Sequence, residues 1–158
     1  MSQSREESAT DPVNPADVRY AAMNLLARRE HSQRELIDKL GRRFPDRDLV
    51  AHEIARLADE NLQSDTRFAE SFVRQRISRG YGPLRLRQEM GQRGISESAL
   101  ETALSAVDAD WFSLAEQVYE KKFGAVAPRD LAEKAKRARF MSYRGFVRDH
   151  FGHLIEGD

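Results

Sequence analysis

A chain of 158 residues suits one ordinary domain, or a few small modules sharing a continuous core. It carries 26 cations and 26 anions, so no global charge pulls it toward nucleic acid, and without cysteine it has neither a disulfide framework nor thiolate chemistry. No apolar run approaches the ~20 residues that cross a bilayer, and the N-terminus lacks the hydrophobic stretch of a signal peptide, so a cytoplasmic protein is expected.

Residues 1–15 are polar, contain Pro12 and Pro15, and show no periodicity; a disordered lead-in is expected there. From Ala16 the residues Val18, Ala22, Leu25 and Leu26 recur at helical spacing, and Arg28 to His31 closes that helix. Ser32 with Glu35 is a capping-box pattern that opens a second helix carrying Leu36, Ile37 and Leu40. Phe44-Pro45 breaks the chain, and Asp46 or Asp48 caps a third helix with Val50, Ile54 and Leu57 inward. Ser64-Asp65 opens a fourth, with Phe68, Phe72, Val73 and Ile77. Gly80 ends it in left-handed geometry, and Pro83 is pre-set for the first position of a fifth, which ends near Gly94. Ser96 caps a sixth helix and Asp110 opens a seventh, ended by Gly124; Pro128 starts an eighth, and beyond Gly145 lies a ninth with Val147, Phe151 and Ile155. Nothing alternates with period two, so the chain reads as all-helical.

The helices come in threes. Leu40-Gly41-Arg42-Arg43 matches Met90-Gly91-Gln92-Arg93 about 50 residues on, and Met141-Ser142-Tyr143-Arg144 follows at a like interval. Arg93-Gly94-Ile95 matches Arg144-Gly145-Phe146 in the same register. Three tandem three-helix repeats are expected, over residues 16–63, 64–108 and 109–158, stacked into an elongated, curved molecule suited to an extended partner.

The most distinctive stretch is residues 79–90 in the central repeat. It sets Tyr81 at a helix junction among Arg74, Arg76, Arg79, Arg85, Arg87 and Arg93, opposed locally by Glu89 alone. Residues 95–120 hold six carboxylates and no Lys or Arg, and residues 121–148 are basic again. Sign-alternating helices of this kind pair with neighbours, or present a cationic corner to an anionic partner. Arg85 and Arg87, two apart, point to different sides of their helix. Trp111, Phe112, Phe140, Tyr143, Phe146 and Phe151 recur at helical spacing and read as core rather than as stacking platforms. No phosphate loop, metalloprotease signature or nucleophile elbow occurs, and His150 with His153 supplies only two ligands of a metal site. No enzyme, cofactor or metal is expected.

The segments Leu25 to Ser32, Arg67 to Arg74, Arg79-Gly80-Tyr81-Gly82-Pro83 with Arg85, Arg87, Gln88 and Glu89, Lys121 to Gly124, and Arg139 to Phe146 together resemble the RecX regulatory proteins of bacteria. The resemblance runs from about Ala16 to the C-terminus. It implies a monomeric, cytoplasmic modulator that lodges in the RecA–DNA filament, inhibits strand exchange, ATP hydrolysis and coprotease activity, and so regulates recombination, DNA repair and the SOS response. Charge and position single out Arg74, Arg79, Tyr81, Arg85, Arg87, Arg93, Arg139 and Arg144 as contacts to RecA carboxylates or to DNA phosphates. Two other readings stand beside it: a helix-turn-helix-like module acting on nucleic acid directly, and a helical adaptor for another acidic protein.

Overall fold

The computed structural model describes residues 13–157. Among them are nine helices and no strand: α1 (Pro15–Arg28), α2 (Gln33–Gly41), α3 (Arg47–Asp59), α4 (Asp65–Ser78), α5 (Pro83–Gln92), α6 (Glu97–Val107), α7 (Trp111–Phe123), α8 (Leu131–Tyr143) and α9 (Arg148–Glu156). The protein is all-helical, as its periodicity indicates. Most of the expected lead-in, residues 1–12, lies outside the described residues. Of its end, Val13 packs against the first core and Asn14 caps α1.

Short polar side chains set most of the helix starts. Ser32 and Glu35 form the reciprocal capping box, and Asp46, Ser96 and Asp110 each accept a backbone N–H three residues on. One start differs from the sequence reading. Helix α8 begins at Leu131 rather than at Pro128, because Asp130 accepts the Glu133 N–H at 2.8 Å and fixes the first turn there.

The chain separates into two compact bodies, the first ending at Asp65 and the second beginning at Thr66. In the first, α1, α2 and α3 enclose Val18, Ala22, Leu36, Leu40, Val50, Ile54 and Leu57. His31 is 2% exposed in the turn before α2. Its Nδ1–H donates to the Arg29 carbonyl at 3.0 Å, and Nε2 accepts from the Lys39 ammonium at 3.0 Å. Burial lowers the pKa of His31 and that of Lys39.

The second body has two cores. One joins Phe68, Phe72 and Val73 of α4 to Leu86 and Met90 of α5 and Leu100 and Ala103 of α6. The other joins Ala115 and Tyr119 of α7, Met141 of α8, and Phe146, Phe151 and Ile155. Trp111 packs against both. The matched segments of the repeat have the same backbone. The carbonyls of Met90 and Met141, each fully buried, accept the N–H groups of Ile95 at 3.0 Å and Phe146 at 3.2 Å, across the left-handed Gly94 and Gly145. Two aromatics depart from the core assignment: Phe112 is 54% and Tyr143 74% exposed. Phe112 turns its ring edge-on to His150, and Tyr143 lies under the Arg85 guanidinium.

Gly82 and Gly145 hold the two halves of this body together. Gly82 N–H donates to the Arg144 carbonyl at 2.8 Å, and Leu84 N–H to the Gly145 carbonyl at 3.0 Å. A Cβ on Gly82 would lie 2.5 Å from the Gly145 carbonyl carbon and oxygen, and one on Gly145 would lie 2.7 Å from the Arg85 nitrogen. Gly145 also needs glycine for its φ of +98°, whereas Gly82 at φ −89° does not. At Gly82 the requirement is purely one of space.

Two outcomes follow. Gly82→Ala should cost about 1–3 kcal/mol of stability through overpacking, while Gly91→Ala on the same helix, with nothing within 4 Å of its Cβ, should gain about 0.5–1 kcal/mol; urea denaturation of both variants checks the contrast. Below the ordinary histidine pKa of 6.5, the unfolded chain takes up protons that His31 in the fold resists. The His31 contribution to stability should therefore be full above that pH and be lost as pH drops through it, and His31→Gln should lessen the fall in the urea midpoint between about pH 7 and 5.

Candidate partner-binding surface

The turn that joins α4 to α5 carries Tyr81, and three guanidinium groups surround its ring. Arg85 lies 4.3 Å from the ring centroid, Arg144 4.9 Å and Arg76 5.6 Å. Each cation has a second anchor. Arg85 also stacks on Tyr143 at 5.0 Å and donates to the Tyr143 carbonyl at 3.3 Å. Arg144 donates to the Arg79 carbonyl at 3.0 Å and covers Phe140. Arg76 lies over Phe72 and 3.0 Å from Glu89, whose half-buried carboxylate also faces Arg85 at 3.6 Å. A single carboxylate among several cations leaves the cluster net positive, and the electron-rich ring faces take up part of that charge.

The predicted contact residues thus fall into three groups. Tyr81, Arg85 and Arg144 come together, with the Arg79 backbone, and join α4–α5 to the end of α8. Arg74, Arg87 and Arg93 lie apart from them and are engaged within their own three-helix domain. Arg74 pairs with Glu70 at 2.6 Å, Arg87 bridges Glu97 at 3.4 Å and Glu101 at 2.6 Å, and Arg93 covers Phe72 and donates to the Glu89 carbonyl. Arg85 and Arg87 point to different sides of their helix, as expected, the one toward Tyr81 and Tyr143 and the other toward Glu97 and Glu101. The last group is Arg79 and Arg139. Both are exposed, and neither guanidinium has a partner among the described residues.

Sequence reasoning passed over Lys121 and Lys122 as contact residues. With Arg79 and Arg144 they edge a cleft of ≈ 620 Å³ whose lining includes Ile77, Leu114, Val118 and Phe140. Gly80 closes one side, where a Cβ would fall 2.8 Å from Val118 Cγ2. The basic pair at the end of α7 was visible in the sequence; its meeting with Arg79, more than forty residues earlier, was not.

Elsewhere in the third domain, Arg137 and Glu133 are engaged within the fold. Arg137, 3% exposed, donates to the Tyr119 hydroxyl and the Val126 carbonyl, both at 2.8 Å, and to Glu133 at 2.7 Å. The Arg129 backbone N–H and the Arg137 and Arg129 guanidinium groups hold the Glu133 pKa down at about 2. His150 accepts the Val147 N–H through Nδ1 at 3.3 Å, and burial lowers its pKa. No group of three or more metal-ligating side chains occurs among the described residues, and no helix there is long and apolar enough to cross a membrane.

Comparison with known proteins defines the class. RecX family profiles match in order: the first three-helix domain at residues 19–57, the second at 64–104 and the third at 108–150. The chain belongs to the RecX family. It is 43% identical over 143 residues to the regulatory protein RecX of Pseudomonas putida (strain GB-1), covering 90% of this chain and 92% of that one. With the regulatory protein RecX of Ectopseudomonas mendocina (strain ymp) it shares 43% over 144 residues, or 91% and 96% of the two chains. Crystal structures agree in fold. RecX from Lactobacillus salivarius superposes with a TM-score of 0.68 at 24% identity, over 90% of this chain and 94% of that one. A second regulatory protein RecX gives 0.75 at 22%, over 91% and 73%.

Arg85→Ala should lower stability by about 1–2 kcal/mol, since two ring contacts, the hydrogen bond to the Tyr143 carbonyl and the Glu89 ion pair go with it. Arg79→Ala and Arg139→Ala should stay within about 0.5 kcal/mol of the parent, as surface changes do. Thermal and urea denaturation of the three single variants separates the cations that hold the fold from those left free.

Proposed function

We propose that this protein is a non-enzymatic modulator of the RecA–DNA filament that inhibits RecA. Strand exchange, ATP hydrolysis and coprotease activity would all be damped, and through them recombination and DNA repair. The observation that carries this reading is family membership across all three domains, with relatives named as regulatory proteins. The unpaired cations Arg79 and Arg139 support it, because they can pair with carboxylates or phosphates at no cost to internal contacts.

The test is RecA ATPase activity on single-stranded DNA, titrated with this protein. ATP turnover should fall. Loss at far less than one copy per RecA marks filament-end capping, and loss only near equimolar ratio marks occupation along the filament. Arg79→Glu combined with Arg139→Glu should weaken inhibition about tenfold or more, equivalent to ~1.4 kcal/mol, with helical content unchanged. Undiminished ATP turnover at every ratio overturns the reading.

A further inference from the structure

Once Arg76, Arg85 and Arg144 are assigned to the junction, the cleft beside it still has no explanation. Its floor is apolar: Ile77, Leu114, Val118 and Phe140 are each half-buried and reach solvent there. Its rim is basic. Arg79 and Lys121 are exposed with no side-chain partner among the described residues, and Lys122 lies over the Phe140 ring at 5.3 Å. No carboxylate is among the residues that line it. Its volume, ≈ 620 Å³, lies within the ~300–1,000 Å³ of pockets that seat a ligand or several side chains.

An apolar floor inside a cationic rim asks for an occupant with the converse pattern. A nucleic-acid strand offers phosphates for the rim, but for the floor it offers only bases, which need a free aromatic face. Phe140 is the one aromatic residue lining the cleft, and its ring is already engaged by Lys122, by Arg144 at 5.4 Å and edge-on by Phe123. A peptide supplies both halves at once. Aliphatic side chains can fill the floor while Asp or Glu a turn away meet Arg79 and Lys121, as in the helix-in-groove mode of recognition.

We propose that the cleft between α4, α7 and α8 docks an acidic amphipathic segment of a protein partner. The proposal rests on the RecA reading and deepens it, since contact at this point is then with filament protein rather than filament DNA. Arg79 and Lys121 pair with the carboxylates, and Ile77, Leu114 and Val118 take the apolar side chains.

The experiment places a photo-cross-linking benzoylphenylalanine at Gln117, exposed on the cleft, and a control one at Lys136, exposed outside it. The full chain is irradiated with RecA filaments on single-stranded DNA, and ATPase is measured on the same samples. Cross-linking from Gln117 should reach a RecA segment with carboxylates beside apolar residues, and Arg79→Glu with Lys121→Glu should reduce the yield about tenfold. Three results overturn the proposal: cross-links to DNA, cross-links to a segment without carboxylates, or no cross-link from Gln117 while inhibition persists. If RecA is neither inhibited nor cross-linked, the functional reading has failed, and the cleft is then judged by two labelled probes on the full chain. Those probes are a helical peptide of leucines interleaved with glutamates, and an oligo(dT). Saturable peptide binding that Arg79→Glu with Lys121→Glu removes upholds the docking site. Absent peptide binding, or tighter binding of the oligonucleotide, rejects it.

Discussion

The second body depends on two backbones meeting where neither can carry a side chain. Gly82 and Gly145 exchange no side-chain contact, yet two N–H groups reach carbonyls across the gap at 2.8 and 3.0 Å. A Cβ on either glycine would sit at 2.5 Å from a neighbouring atom, far inside van der Waals contact. Because the approach is that close, the end of α8 lies against the start of α5. Arg144 then reaches Tyr81, and Arg85 reaches Tyr143. Two domains too small to bury large cores alone are joined by hydrogen bonds, cation–π contacts and Trp111, which packs on both.

That junction sorts the cations. A run of arginines looks uniform when read along a chain, but each guanidinium here has a different local balance. Arg87 and Arg74 face carboxylates in the open, where a pair contributes at most about 1 kcal/mol. Arg85 and Arg144 are tied to ring faces and to backbone oxygens across the junction, and Arg76 to the Phe72 and Tyr81 rings and to Glu89 beside it, so removing them would disturb the fold as well as any partner. Arg79 and Arg139 have no such ties. For a protein whose relatives are regulators, the distinction matters, because only cations free of internal contacts can bind a partner without loosening the fold. The cleft beside Gly80 adds shape to that free charge, by setting apolar side chains behind Arg79 and Lys121.

Much of the fold was legible in the sequence, for local reasons. Capping oxygens at Ser32, Ser96 and Asp110 act within a few residues, and apolar spacing reports directly which face of a helix is covered. The repeat was visible in Met90-Gly91 and Met141-Ser142 because equivalent buried residues and left-handed turns recur at equivalent places. Pro128 misled because proline permits a helix start without requiring one, and the carboxylate of Asp130 decided the matter two residues later. Tyr143 and Phe112 misled because helical spacing says which residues share a face, not whether that face is covered. For the surface, the sequence singled out Tyr81 and the arginines but could not say which of them pair internally and which face a partner. Their division depends on partners more than fifty residues away, such as Tyr143 for Arg85 and the Arg79 carbonyl for Arg144. Gly82 carried a faint signal, a glycine before proline at a place with no need for positive φ, and close approach is the other reason for glycine.

The central claim is that the 79–90 stretch divides its work, with Gly82, Tyr81 and Arg85 joining two domains while Arg79 and the cleft remain available to a partner. Hydrogen exchange followed on the protein alone and in complex with RecA–DNA filaments tests both halves together. The Gly82 and Leu84 amides should exchange slowly in the free protein and remain unchanged on binding, while residues 77–80 and 117–122 gain protection in the complex. Fast exchange at Gly82 in the free protein, or added protection on binding that spares both cleft segments, would contradict it.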